Sequence, residues 1–227
     1  PNGYCREEVG DALAALDHPG VKLFMEARRI PATASNVVAR LQPESEHKVV
    51  VTAHIDAYED SPGALDNATG VAVLLLLAES LAGYKGDRCI EIVAFNGEDH
   101  YSAAGQKEYL ARYGEELASI MLNINIDGVG YHRGRTAYSL YGVGDRIERT
   151  ATEVLDADPE VVRGPEWVSG DHMIFVQKGV PALAITGEYV QELISSVVHT
   201  EKDRPELIDY VKIADLADSL AAVIRRL

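Results

Sequence analysis

Two adjacent carboxylates, Glu98 and Asp99, stand just past the end of an apolar run, Cys89-Ile-Glu-Ile-Val-Ala-Phe95. His54 closes a second apolar run, Lys48–His54, with Asp56 two residues on. Asp127 follows a third, Ser119–Ile126, and Asp66 lies just before a predicted helix that starts at Asn67. His199 comes late, in Val197-Val-His-Thr-Glu-Lys-Asp203. Each has a plain explanation alone: a boundary histidine, an acid at a helix start, an Asp-Gly turn, a solvated loop. Together they are acids and imidazoles delivered by separate segments, and converging carboxylates repel one another. A divalent cation removes that repulsion, because buried charges are paired or bind metal. Histidine with carboxylate suits zinc, with cobalt or manganese as alternatives. The candidate ligands are His54, Asp66, Asp99, Asp127 and His199. They outnumber the three protein ligands usual for one catalytic zinc. Two ions about 3.5–4 Å apart, sharing one carboxylate, fit the set.

For these residues to meet, the apolar runs must lie side by side with their carboxyl ends at one edge, the crevice of an open α/β sheet. The pattern allows this. Ser35–Leu41 alternates like a half-buried strand, and Lys48–His54 is continuously apolar, as in a sheet covered on both faces. Further strands are predicted at Cys89–Phe95, Ser119–Ile126, Thr136–Tyr141 and Val180–Ile185. Helices are predicted over 67–81, 104–113, 145–155, 171–178 and 211–227, after a helical entry segment at 1–34 with Val9, Leu13 and Leu16 near helical spacing. Strands alternating with helices predict a three-layer α/β/α sandwich around a mixed, mainly parallel sheet. With no repeat or linker, 1–227 reads as one catalytic domain. Gly142-Val-Gly144 alone is too weak a signal for a nucleotide site.

Composition narrows the class. Hydrophobic residues make up 47% and charged residues 25% of 227, ordinary values for a globular protein. The longest apolar run, Val71–Ala78, falls well short of the roughly 20 residues of a membrane span. A net charge of −15 disfavours nucleic acid as a partner. Cys5 and Cys89 imply no disulfide framework, and Cys89 reads as a packed thiol. The sequence opens at Pro1 with neither Met nor a signal-peptide pattern, and compartment and oligomeric state are left open.

The motifs resemble, in order, those of the zinc aminopeptidases of peptidase family M28: His54-Ile-Asp56, Pro62-Gly-Ala-Leu-Asp66-Asn67-Ala-Thr-Gly70, Phe95-Asn-Gly-Glu98-Asp99 and Asn125-Ile-Asp127. Ser169-Gly-Asp171-His172-x-x-Phe175, Gly179-Val-Pro-Ala182 and His199 complete the set, which spans about 35–227. The resemblance implies an aminopeptidase acting on peptides with a free N-terminus. His54, Asp66 and Asp127 would hold one zinc, Asp66 would bridge, and Asp99 and His199 would complete the second. Glu98 matches the family's general base, and Asp56 an acid that orients His54. Asn67 flanks the bridging acid, and Asp171 supports the site from behind. Asp99 stands where members often carry Glu. Val198 replaces a Tyr that in some members helps hold the oxyanion, with Tyr189 as a substitute. Trp167 is a candidate pocket wall or packing residue, and His18, His47, His100, His132 and His172 are not counted as ligands. Three other readings share parts of the pattern: an M20-type amidohydrolase or carboxypeptidase, a single-metal glutaminyl-cyclase-like transferase, and a receptor-like domain without catalysis.

Overall fold

A computed structural model describes residues 7–17, 20, 22, 24, 26, 28, 30–42, 44–100 and 102–227. The chain divides into two compact units, Pro1–Thr33 and Ala34–Leu227. In the first, helix α1 covers Glu7–Ala14, and the described residues from Gly20 onward carry no regular element. The remainder of the predicted 1–34 entry helix lies partly outside the described residues.

The second unit is built on seven strands: β1 (Val37–Leu41), β2 (Lys48–His54), β3 (Cys89–Phe95), β4 (Ile120–Ile126), β5 (Thr136–Tyr141), β6 (Val161–Arg163) and β7 (Ala182–Gly187). They lie in the order β1-β3-β2-β4-β7-β5-β6. The middle four, β3, β2, β4 and β7, are mutually parallel, while β1 runs antiparallel to β3 and β5 antiparallel to β7. The sheet is therefore mixed with a parallel centre, as the sequence predicts. Parallel pairing puts the carboxyl ends of β2, β3 and β4 at one edge.

Both faces are covered. Helices α2 (Thr69–Ser80), α4 (Asp145–Leu155) and α7 (Tyr210–Arg226) pack one face, where Val49, Val51 and Ala53 of β2 meet Leu77, Leu155 and Leu220. Val50, the residue between, points the other way toward Tyr109 of α3 (Ala104–Tyr113) and Phe175 of α5 (His172–Val176). Side chains alternate across a strand, so a strand buried on both sides must be apolar throughout. That is why Lys48–His54 has no polar period.

Several boundaries move from their predicted places for local reasons. The predicted helix 67–81 begins only at Thr69, because Asp66 and Asn67 leave helical dihedrals in the irregular turn Ala64–Ala68. The strand predicted at 180–185 runs from Ala182 to Gly187. Pro181 has no amide to give a ladder and contributes only its carbonyl, to the Asn123 amide at 2.9 Å. The short β6 and helix α6 (Val190–Ser196) were not legible in the sequence.

Candidate metal centre

The crevice at the parallel edge gathers the predicted ligands. His54 ends β2 with its imidazole buried. Its Nε2 lies 2.9 Å from Asp66 Oδ1 and 3.6 Å from Asp127 Oδ1, the residue just after β4. His199 enters from the loop after α6, its Nε2 2.8 Å from Asp99 Oδ1 and 3.1 Å from Asp66 Oδ2. One ligand atom each from His54, Asp66 and Asp99 lies within 4.8 Å of the others. Asp66 is thus shared: one carboxylate oxygen faces His54, and the other faces His199. The five predicted residues form two groups that overlap at Asp66.

Two buried atoms in this cluster, His54 Nε2 and Asp99 Oδ2, have no hydrogen-bond partner among the described residues. The imidazole nitrogen is close to Asp66 but not in hydrogen-bond geometry. A buried polar atom without a partner is costly, and an imidazole nitrogen and carboxylate oxygens are the donors a hard or borderline divalent ion takes. The donor set therefore fits such an ion.

The backbone around the ligands is tied down by side chains. Asp56 accepts the amides of Gly97 at 2.7 Å and Glu98 at 3.2 Å through Oδ1, and that of Asp99 at 3.1 Å through Oδ2. Its carboxylate therefore holds the Glu98–Asp99 loop. The family resemblance implies that Asp56 orients His54, and His54 Nδ1 lies 3.0 Å from the Asp56 main-chain oxygen, with the carboxylate at 3.8 Å. Gly97, at φ +93°, lets the chain turn sharply enough after β3 for this capture. Asn67 donates to Ile126 O at 2.9 Å and accepts from the Gly70 amide at 3.0 Å, which clamps the Asp66 turn to the end of β4. A Cβ on Gly70 would stand 2.7 Å from that same Ile126 oxygen, so α2 can approach β4 this closely only with glycine there. Asp203, fully buried, receives the amides of Leu65 and Asp66. Sequence reasoning missed it, because Glu201-Lys202-Asp203-Arg204 reads as a solvated charge run.

Near this cluster, Asp171 is buried and accepts from Gln106 Nε2 at 2.6 Å. His172 places Nε2 3.1 Å from Trp167 O, and its ring lies against the indole at 4.5 Å, so it serves the packing of that loop. Tyr189 lies over Gly134, where a Cβ would come within 2.7 Å of its ring. Val198 packs with Leu65 and Leu193, while the Tyr58 ring stacks on His199 at 4.6 Å.

The electrostatics carry the mark of crowded acid. Burial, then the charge of Asp127, pushes the Glu98 carboxyl up to about 8. Burial and the charge of Asp66 push Asp99 up to about 6. Burial raises Asp171 to about 7. Burial opposes charge on His54, but the carboxylates of Asp127, Asp56 and Asp66 outweigh it and hold its pKa well above the usual value. Without a cation, protons take over the neutralisation.

The sequence pattern of peptidase family M28 matches residues 36–224. The chain belongs to peptidase family M28. Aminopeptidase YwaD of Bacillus subtilis (strain 168) is 29% identical to this M28 chain over 232 residues, covering 96% of this chain and 50% of YwaD. The M28 chain thus spans about half the length of that curated relative. The structure of BSAP, a zinc aminopeptidase from Bacillus subtilis, superposes with a TM-score of 0.71 at 24% identity, over 83% of this chain and 49% of that one. At that identity the likeness shows a shared fold. The glutaminyl-peptide cyclotransferase of Drosophila melanogaster is 26% identical over 231 residues, covering 84% of this chain and 63% of its own.

Proposed function

We propose that this M28 chain is the catalytic domain of a metal-dependent aminopeptidase, with residues 1–34 as its entry segment, that removes N-terminal residues from peptides using two zinc ions. The observation that carries the reading is the pair of overlapping groups at Asp66, one with His54 and Asp127 and one with Asp99 and His199. The names of YwaD and BSAP support aminopeptidase activity and zinc. Cobalt or manganese would suit the same donors.

His54, Asp66 and Asp127 would hold one ion, and Asp66, Asp99 and His199 the other. Bound there, the ions supply Lewis acidity toward a carbonyl oxygen and make a nearby water more acidic. Glu98 is the general base. It takes a proton from the attacking water and returns it to the departing amine. Without metal, burial and then the charge of Asp127 push its carboxyl up to about 8, and cations bound beside it would lower it so that it starts as the proton-accepting carboxylate. Asp56 holds the Glu98 and Asp99 amides in register, and Asn67 holds the turn carrying Asp66. The chain's net charge of −15 favours the approach of a substrate with a free, protonated N-terminus.

Elemental analysis of the purified protein, with hydrolysis of aminoacyl-amide substrates before and after chelation, tests this reading. It predicts two ions per chain, with activity lost to chelator and restored by zinc. One ion per chain with cyclisation of N-terminal glutamine would replace it by the transferase reading that the Drosophila relative's name suggests. Binding of a protein partner without hydrolysis would replace it by a receptor-like role, and release of C-terminal residues by a carboxypeptidase.

A further inference from the structure

Each site histidine is followed by an acid that ties down the backbone of a different segment. Asp56 follows His54 and receives the amides of the Glu98–Asp99 loop. Asp203 follows His199 and receives the amides of the turn carrying Asp66. Its Oδ1 accepts from the Leu65 amide at 2.6 Å and its Oδ2 from the amide of Asp66 itself at 3.0 Å. Its main-chain oxygen takes a third amide, that of Ala64, at 3.4 Å. More contacts tie the same two segments together: Ser61 Oγ donates to Thr200 O at 3.2 Å, and the Tyr58 ring stacks on His199. His199 needs such support. It is a non-glycine residue at φ +62°, on a loop, with 46% of its side chain exposed.

We propose that Asp203 is a positioning residue for divalent-cation binding: it fixes the Asp66 turn to the His199 loop, and the ion held by Asp66, Asp99 and His199 depends on it. This rests on the metal reading above. Asp203 is 0% exposed, so no water replaces it if its carboxylate is lost. Metal–ligand distances tolerate only about ±0.2 Å, and the Asp203 bond reaches the backbone amide of the shared ligand itself. In Asp203→Asn one carboxylate oxygen becomes an NH₂. Whichever way the amide turns, a donor then faces either the Leu65 or the Asp66 N–H, and one buried amide loses its acceptor. The turn must shift to relieve this, and Asp66 shifts with it.

The test measures metal affinity by competition with a chromophoric chelator for the parent chain, Asp203→Asn and Asp203→Glu, alongside thermal unfolding with and without zinc. The Asn variant is expected to bind the ion at Asp99 and His199 about 10- to 100-fold more weakly, the range for loss of a group that orients a ligand, with a smaller loss at the ion by His54 and Asp127, which shares only Asp66 with the displaced segments. Its cobalt-loaded form loses the absorption of one of the two ions. The Glu variant, with two acceptor oxygens restored, recovers part of that affinity. A role confined to folding would lower the melting temperature equally with and without zinc and leave both affinities within about threefold of the parent, well short of that range, and would overturn the inference. Failure of both variants to fold overturns it too, since Asp203 would then be a general determinant of the fold. If the parent binds no divalent ion, the metal reading itself fails. If the parent binds two ions and the Asn variant matches it, only this inference fails.

Discussion

Replacing Asp56 by Asn tests the claim that a single carboxylate organises the Glu98–Asp99 loop. The native side chain accepts three amides, at 2.7, 3.2 and 3.1 Å. Burial raises its pKa, but the nearby His54 imidazole and the hydrogen bonds from the Gly97 and Glu98 amides outweigh this, so the net shift is downward and the charged form is favoured. In the Asn variant the remaining oxygen serves Gly97 and Glu98, and the new NH₂ faces the Asp99 amide. The flipped rotamer is worse, because it faces two amides with a donor. One charge-assisted bond is lost outright, at about 1.5–3 kcal/mol, and the other two weaken as the charge goes. A total near 2–3 kcal/mol corresponds to a fall of about 4–12 °C in melting temperature for a unit of this size. The assay is thermal unfolding of chelator-treated protein, since bound metal would mask the loss by mass action. A shifted loop also moves Glu98 and Asp99, and kcat/KM of the zinc-loaded variant should fall about 10- to 100-fold. Parental melting temperature and parental kcat/KM together would refute the reasoning.

Other predictions follow from the same geometry. Glu98→Gln should keep both ions and the fold while losing at least about 100-fold in kcat, the usual scale for a general base, and near-normal turnover would remove Glu98 from the role. In metal-free protein Asp171 titrates near 7, above the ordinary carboxylate value of 3.8, so folding is favoured while both states are protonated and weakens as pH climbs from about 4 toward 7. Asp171→Asn keeps the oxygen that Gln106 reaches and should therefore stabilise the chelated protein at pH 8 by up to a few kcal/mol but hardly at pH 4, at about 1.4 kcal/mol per pKa unit. Equal melting-temperature changes at the two pH values would contradict this. Cys89 is fully buried, and burial, then Glu91, raises its pKa. In a Cys5→Ser background it should resist a disulfide reagent at neutral pH until the protein unfolds, and rapid labelling of native protein would show that β3 opens.

The central strands were legible because burial on both faces leaves no choice of residue: Lys48–His54 and Cys89–Phe95 occupy the positions the sequence predicts. Three of the proposed ligands, His54, Asp99 and Asp127, sit at or just past the ends of apolar runs, whereas Asp66 precedes a helix and His199 lies on a late loop. The supporting contacts were not legible. Asp56 acts 41–43 residues away in sequence and Asp203 about 138, and no local pattern records a side chain reaching a distant amide. Strand β6 has three residues, too few for a period to appear, and α6 buries only Leu193. The delayed start of α2 escaped notice because Asp66 and Asn67 look like ordinary helix-start residues, yet their dihedrals are not helical and their side chains are committed to the site.

The most direct test of the account is anomalous diffraction at the zinc edge from crystals of the zinc-loaded chain. The account predicts two peaks about 3.5–4 Å apart, the usual spacing of a two-metal site, on either side of the Asp66 carboxylate. One should lie against His54 and Asp127, the other against Asp99 and His199. No peak at this edge of the sheet, or zinc bound only elsewhere, would contradict it.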